Sequence, residues 1–235
     1  MAKLYGIGVG PGDSELMTLK AVRLIRASDT IVIPSSGQTT NAAYTIAAGA
    51  VPEIKEKNIL EVEMPMTRDS EILETSHRNA AEQIGKLLEE EKTVSFITLG
   101  DPTIYSTYCY VHDRVLSLGF DAEIIPGIPS FCAAAARLGI SLTEASETLC
   151  IIPSSYETRS EAMQLEGTKV LMKSGKSISE LKKELVAKGE QWDVRMVERC
   201  GMEGERVFLS AAEIPDHSSY FSIVIVKDKK KDREI

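Results

Sequence analysis

Apolar and polar positions along the chain switch repeatedly between a strand-like and a helix-like period. Leu4 to Val9 reads as a short buried strand, and a glycine-rich turn follows. Leu19, Val22 and Ile25 then recur at helical spacing before Ile31-Val32-Ile33 gives a second strand. Ile59 to Val62 supplies a third. Asp69 opens a long helix whose stripe is Leu73, His77, Ala80, Ile84 and Leu88. Val94 to Leu99 is a fourth strand running into Gly100-Asp101-Pro102, and Val111, Val115 and Leu118 mark a helix closed by Gly119. Glu123 to Ile125 is a fifth short strand. After the turn at Pro126-Gly127, Ser130 is placed to cap an alanine-rich helix through Arg137.

Strands alternating with helices predict an α/β fold with a mostly parallel sheet, whose binding sites sit at the carboxyl ends of the strands. Around Ser141 to Glu147 the composition turns polar, and the pattern beyond is richer in strands: Leu149 to Ile152, Val170 to Met172, Val194 to Val197, Arg206 to Leu209 and Phe221 to Val226. One helix stands out there, from the capping box Ser177-Ile178-Ser179-Glu180 to Gly189. The chain therefore divides into an N-terminal α/β domain over residues 1–142 and a C-terminal α/β domain with a mixed sheet over residues 143–235. Lys227 to Ile235 reads as a mixed-charge terminal segment.

Composition narrows the function classes. The 235 residues are 43% hydrophobic and 26% charged, which excludes disordered, collagenous and rod-like chains. A net charge of -8 argues against a nucleic-acid partner. No apolar run approaches the ~18 residues of a membrane span, and the N-terminus has no signal-peptide core, so a cytoplasmic protein without a membrane partner is expected. Cys109, Cys132, Cys150 and Cys200 are widely spaced and form no C-x-x-C. They read as reduced thiols buried as small apolar residues, with no protein-bound metal.

Candidate chemistry collects in the loops after strands. Gly6-Ile7-Gly8-Val9-Gly10-Pro11-Gly12-Asp13 stands where a dinucleotide fold carries its phosphate loop, but the register is wrong: three residues after Gly8 is Pro11, and three after Gly10 is Asp13. The second strand ends in Pro34-Ser35-Ser36 rather than in an acidic residue. The glycines either let a bulky ligand approach the strand ends or take the positive φ of a tight turn. On the first reading, a valine at Gly10 would obstruct the ligand more than it unfolds the protein. Gly100 to Ser106 places a carboxylate, hydroxyls and a ring at another strand end, where Asp101 can orient a polar ligand or cap the following turn. Pro126 to Phe131 is a third such loop.

At these loops the sequence resembles the tetrapyrrole methylase family, S-adenosylmethionine-dependent enzymes of cobalamin and sirohaem synthesis. The residues that carry the resemblance are Gly8 to Asp13 followed by Leu16-Met17-Thr18-Leu19-Lys20-Ala21, then Gly100-Asp101-Pro102, then Pro126-Gly127. Within the family, Gly100 to Tyr108, Pro126 to Ile140 and Val170 to Lys173 are most similar to members that methylate C20 of precorrin-2 or its cobalt form, cobalt-factor II. The resemblance implies two α/β domains with the cofactor S-adenosyl-L-methionine in the cleft between them, released as S-adenosyl-L-homocysteine, in a homodimer. It implies that Pro11, Leu99, Gly100, Asp101, Ile104, Ser130, Phe131, Met172, Cys200 and Gly201 contact the cofactor. Gly8, Gly10, Gly12, Asp13 and Arg137 face the substrate, and Asp101 and Tyr105 are the catalytic candidates. In Glu198 to Arg206, Cys200-Gly201 stands for the family's commoner Gly-Thr pair and Glu205 for its Gln.

A methyl sulfonium is already a strong electrophile, so the chemistry asks mainly for alignment with a nucleophile and exclusion of water. The electron-rich C20 bridge carbon can attack directly, and the residues do not select a general base among Asp101, Tyr105 and a substrate carboxylate. The substrate's carboxylates require cations, for which Arg68, His77, Arg78, Arg137, Lys173 and Lys176 are candidates. Two alternatives stand beside this reading: methylation at another ring position or on another acceptor, and a catalytically silent nucleotide or phosphate binder built on the glycine loop.

Overall fold

The computed structural model describes residues 2–35, 41–154 and 159–229. It forms two compact units, Met1–Pro129 and Ser130–Ile235. Packing thus assigns the alanine-rich helix to the second unit, earlier than the polar stretch at which composition changes, because that helix lies on second-unit strands.

The first unit holds a parallel five-stranded sheet in the order β3-β2-β4-β1-β5. Its strands are β1 (Leu4–Gly8), β2 (Thr30–Ser35), β3 (Asn58–Glu63), β4 (Val94–Thr98) and β5 (Ala122–Ile125). Ser36, expected at the end of the second strand, lies outside the described residues. Helices α3 (Ser70–Glu89) and α4 (Tyr108–Ser117) cover one face, burying Ala80, Ile84, Leu88, Val111 and Val115 against Leu4, Val32, Val62 and Phe96. Helices α1 (Leu19–Ala27) and α2 (Ala42–Ala50) pack against β1 and β4 respectively. Strands covered on both sides read as nearly continuous apolar runs, which is why β2 and β4 are legible in the sequence.

Two local expectations in this unit change. The α1 stripe is Ala21, Leu24 and Ile25, while Leu19 is 89% exposed: as the first helical residue after the Thr18 cap, it precedes the turn that reaches the sheet. Helix α2 is absent from the periodicity because it is alanine-rich throughout. Its start is marked only by Asn41, whose Oδ1 accepts the Tyr44 amide.

The second unit begins with α5 (Ser130–Leu138), in which Ser130 is the first helical residue, and carries a mixed sheet in the order β6-β7-β10-β8-β9. Its strands are β6 (Leu149–Pro153), β7 (Thr168–Met172), β8 (Trp192–Glu198), β9 (Arg206–Phe208) and β10 (Ser222–Asp228). Only β6 and β7 pair in parallel; the other ladders are antiparallel. A short helix, α6 (Arg159–Ala162), precedes β7, and α7 (Ile178–Ala187) buries Ile178, Leu181 and Leu185 in this core. The capping box does not form. The Ser177 hydroxyl donates to the carbonyls of Ser154 and Ser174 instead, which fastens the start of α7 to the ends of β6 and β7. The four cysteines are free thiols, but none is fully buried: Cys132 is exposed and the others are half-buried. Among the described residues no helix is long and apolar enough to cross a membrane.

Candidate functional site

In the first sheet β1 and β4 are neighbours, yet β1 leads to β2 on one side and β4 leads to β5 on the other. The loops that leave their carboxyl ends must therefore pass close together, as at the switch point of open parallel sheets. They do so backbone on backbone. Gly10 and Gly100 form an antiparallel bridge, with the Gly100 N–H donating to the Gly10 carbonyl at 2.8 Å and the Gly10 N–H to the Gly100 carbonyl at 3.2 Å. A Cβ on Gly8 would lie 2.5 Å from the Gly100 oxygen and 2.7 Å from the Gly127 nitrogen, and one on Gly127 would lie 2.1 Å from that same oxygen. Gly8 and Gly127 are thus required by contact between the three loops. Gly10, at φ +81°, is required by its own conformation.

Asp101 binds this junction together. Its carboxylate is 7% exposed, and one oxygen accepts the Thr103 amide at 2.8 Å and the Thr103 hydroxyl. The other oxygen accepts the Gly127 amide at 2.9 Å, so the second and third loops are held by one side chain. The turn reading of Asp101 is realised, since it closes an Asx turn locally, and it also bridges to a loop distant in sequence, which neither reading named. Among the described residues its hydrogen-bond partners are N–H and O–H groups and none is a cation. Thr103 and Gly127 complete this arrangement; Gly127 is among the motif residues that carry the family resemblance, whereas Thr103 is not separable from an ordinary loop residue by sequence. The Asp-x-Thr spacing is the only local signal.

The remaining residues named for this unit occupy the same loops. Pro11 and Gly100 are buried, while Leu99, Ile104 and Gly12 are half-buried. Asp13 accepts the Glu15 amide at 2.9 Å and caps the short turn Ser14–Leu16. Tyr105 sits at φ 49° and is 45% exposed, with partial burial raising its phenol pKa. Ser106 exchanges a hydroxyl hydrogen bond of 3.0 Å with Thr98 and accepts the Tyr108 amide at the start of α4. Cys109 donates to the Pro102 carbonyl, and its thiol is pushed up by burial and by Asp113 and Asp101, so it stays protonated. His77, proposed above as a cation, is buried and stacked on Tyr110 with 4.9 Å between ring centroids. Burial and the neighbouring Arg114 lower its pKa against the pull of Glu74, so it is a neutral packing residue.

In the second unit Phe131 is buried in α5, and Met172, 9% exposed, ends β7. Lys173 follows at φ 59°, with its ammonium 5.9 Å from the Tyr220 ring centre. The Lys176 side chain lies outside the described ones. Cys200 and Gly201 lie in the loop after β8, where the Gly201 amide donates to Glu205 at 2.8 Å and is thereby already engaged. Arg137 donates from its Nε to the other oxygen of Glu205. At the base of this loop Glu198 is buried. Burial alone would raise its pKa, but the Ser219 amide and Arg206 outweigh that and hold it low. Among the described residues no three His, Cys, Asp or Glu side chains gather as a metal site.

Comparison with known proteins gives concordant results. The family model described as Tetrapyrrole (Corrin/Porphyrin) Methylases matches residues 3–215. The chain is 35% identical over 233 residues to a probable cobalt-precorrin-2 C(20)-methyltransferase of Methanocaldococcus jannaschii, covering 97% of each chain. It is 27% identical to a precorrin-2 C(20)-methyltransferase of a Sinorhizobium species, covering 96% of this chain and 95% of that one. Among solved structures it is similar in fold to a uroporphyrin-III C-methyl transferase of Thermus thermophilus complexed with S-adenyl homocysteine. That match has a TM-score of 0.68 at 20% identity and covers 96% of this chain and 97% of the other.

Proposed function

The chain belongs to the tetrapyrrole methylase family, and on that premise we propose that it transfers a methyl group from S-adenosylmethionine to C20 of precorrin-2 or of its cobalt complex, in cobalamin biosynthesis. The observation that carries this reading is the buried Asp101 carboxylate at the strand-end junction, which has no cation among its hydrogen-bond partners. A buried carboxylate without a cationic partner suits a cationic ligand, and a sulfonium is one. The residues present therefore suit the cosubstrate that the family uses.

The proposed cosubstrate contacts are Pro11, Leu99, Gly100, Asp101 and Ile104 in the first unit, with Ser130, Phe131, Met172, Cys200 and Gly201 in the second. Gly8, Gly10, Gly12 and Asp13 form the loop proposed to face the tetrapyrrole. When bound, S-adenosylmethionine supplies an activated methyl group that an electron-rich carbon can attack directly. The chain's own task is positioning. Asp101 fixes the second and third loops in one geometry, and the backbone packing of Gly8, Gly100 and Gly127 leaves that junction little freedom to shift. Tyr105, half-exposed in the second loop, is the candidate to relay the proton that C20 loses, its own phenol proton passing on to water or a substrate carboxylate. Lys173 is the proposed cation for a substrate carboxylate. We also propose that the enzyme is cytoplasmic and acts as a homodimer; light scattering of the purified protein would decide the oligomeric state.

The test is an anaerobic incubation with S-adenosylmethionine and, separately, metal-free precorrin-2 and its cobalt complex, followed by mass and carbon-position analysis. One methyl gained at C20 in either vial is the expected result and identifies the substrate form. A methyl at another carbon would assign the protein to a different step of the same family. No transfer to either acceptor would overturn the reading.

A further inference from the structure

The loop from Arg199 to Glu205, between β8 and β9, is folded tightly on itself. Arg199, Gly201 and Gly204 all have positive φ, of 55°, 70° and 78°. The Met202 amide donates to the Arg199 carbonyl at 2.8 Å, and the Glu205 amide to the Met202 carbonyl at 3.2 Å. One ionised side chain holds the turn from within: Glu205 Oε2 accepts the Gly201 amide at 2.8 Å, while Oε1 accepts Nε of Arg137 at 2.5 Å from α5. The Glu205 side chain is 22% exposed. Its carboxyl is kept below the usual carboxylate range, first by the Gly201 amide and then by Arg137, against the upward push of burial. Burial and the Glu205 charge in turn raise the Cys200 thiol to about 11, so this cysteine serves the turn as an uncharged side chain.

We propose that Glu205 is a positioning residue for the cosubstrate site, fixing the Cys200-Gly201 turn through the Gly201 amide, with Arg137 orienting the carboxylate rather than binding substrate. The proposal rests on the reading of Cys200-Gly201 as part of that site. Its chemical content is specific: the turn needs a hydrogen-bond acceptor at position 205, and charge is needed only to engage Arg137. A glutamine supplies the acceptor without the charge, and an alanine supplies neither.

Three proteins separate these roles: wild type, Glu205→Gln and Glu205→Ala, with Arg137→Gln as a control that spares the acceptor. Amide hydrogen exchange at Gly201 in the ligand-free protein reads the turn directly. Calorimetric titration with S-adenosylhomocysteine reads the site. Protection of the Gly201 amide is expected in wild type, Glu205→Gln and Arg137→Gln and is expected to be lost in Glu205→Ala. The affinity should fall about tenfold or more in Glu205→Ala, as for the loss of one charge-assisted hydrogen bond, and by less than about threefold in the other two. In turnover, KM for S-adenosylmethionine should rise in Glu205→Ala with kcat little changed, a split that general loosening of the fold would not give. Equal protection and equal affinity in all four proteins would overturn the proposal, and so would a folded Glu205→Gln that behaves like Glu205→Ala. A wild type that protects Gly201 but binds no S-adenosylhomocysteine would instead overturn the reading of the site on which the proposal stands.

Discussion

At the residue scale, the strand-end junction is governed by what its glycines face. Gly8→Ala drives a Cβ into the Gly100 carbonyl and the Gly127 amide, both backbone, so the loops must separate. The expected cost is about 1–3 kcal/mol of stability, with loss of S-adenosylhomocysteine binding, measured by urea unfolding and calorimetry. Gly10 behaves differently. Its φ of +81° penalises any L side chain, so Gly10→Val is destabilising before any ligand arrives, which replaces the expectation that it acts mainly by obstruction. Gly10→Ala should cost about 1–2 kcal/mol. Asp101→Ala leaves the Gly127 amide without its acceptor and should cost about 1–3 kcal/mol while weakening the binding of S-adenosylmethionine, whose sulfonium is cationic, more than that of the thioether S-adenosylhomocysteine. Unchanged affinity for S-adenosylmethionine in a folded Asp101→Ala protein would reduce Asp101 to a turn residue. The sequence showed that these residues belong to strand-end loops. It could not show that Asp101 reaches Gly127, because that contact joins loops 26 residues apart.

At the scale of elements, the packing of α3 on α4 carries a pH dependence. His77 is buried against Tyr110, and its surroundings favour the neutral ring: desolvation and Arg114 lower its pKa, and Glu74 only partly opposes them. A folded-state pKa below the unfolded value of about 6.5 means the contribution is fully present above that pH and is lost as the pH falls below it. Urea midpoints should therefore drop between pH 7.5 and 5.5 in wild type, and drop less in His77→Phe, which keeps the ring contact and cannot titrate. Superimposable profiles would remove His77 from the account. Helix α1 gives a second contrast. Leu24→Ala should cost about 2–5 kcal/mol as a core truncation, whereas Leu19→Lys should change stability by no more than about 0.5 kcal/mol, since Leu19 is 89% exposed. Periodicity alone placed Leu19 in the apolar stripe with Val22 and Ile25 and did not pick out Leu24. The phase of the helix against the sheet, set by where Thr18 starts it, decided which one is buried.

At the scale of the whole molecule, ligand binding should register as stability. S-adenosylhomocysteine at a hundred times its dissociation constant stabilises a single-site protein by about 2.7 kcal/mol, which for a chain of this size is a rise in Tm of about 5–10 °C. Absence of a shift at saturating ligand would argue against the proposed cosubstrate. The sequence by itself determined the order of the strands and of the longer amphipathic helices, the parallel sheet followed by a mixed one, and the family, through the motifs at Gly8 to Asp13, Gly100 to Pro102 and Pro126-Gly127. These follow from hydrophobic period and turn chemistry, which act over a few residues and are written locally. Only the tertiary structure decided that the division of the chain precedes α5, that Ser177 fastens α7 to neighbouring strand ends instead of capping it, and that Glu205 holds Gly201 while engaging Arg137. The physical reason is common to all three. Each depends on which groups distant in sequence the fold brings within hydrogen-bond or van der Waals reach, and a buried donor or bare Cα does not specify its partner until the sheet order has placed one beside it.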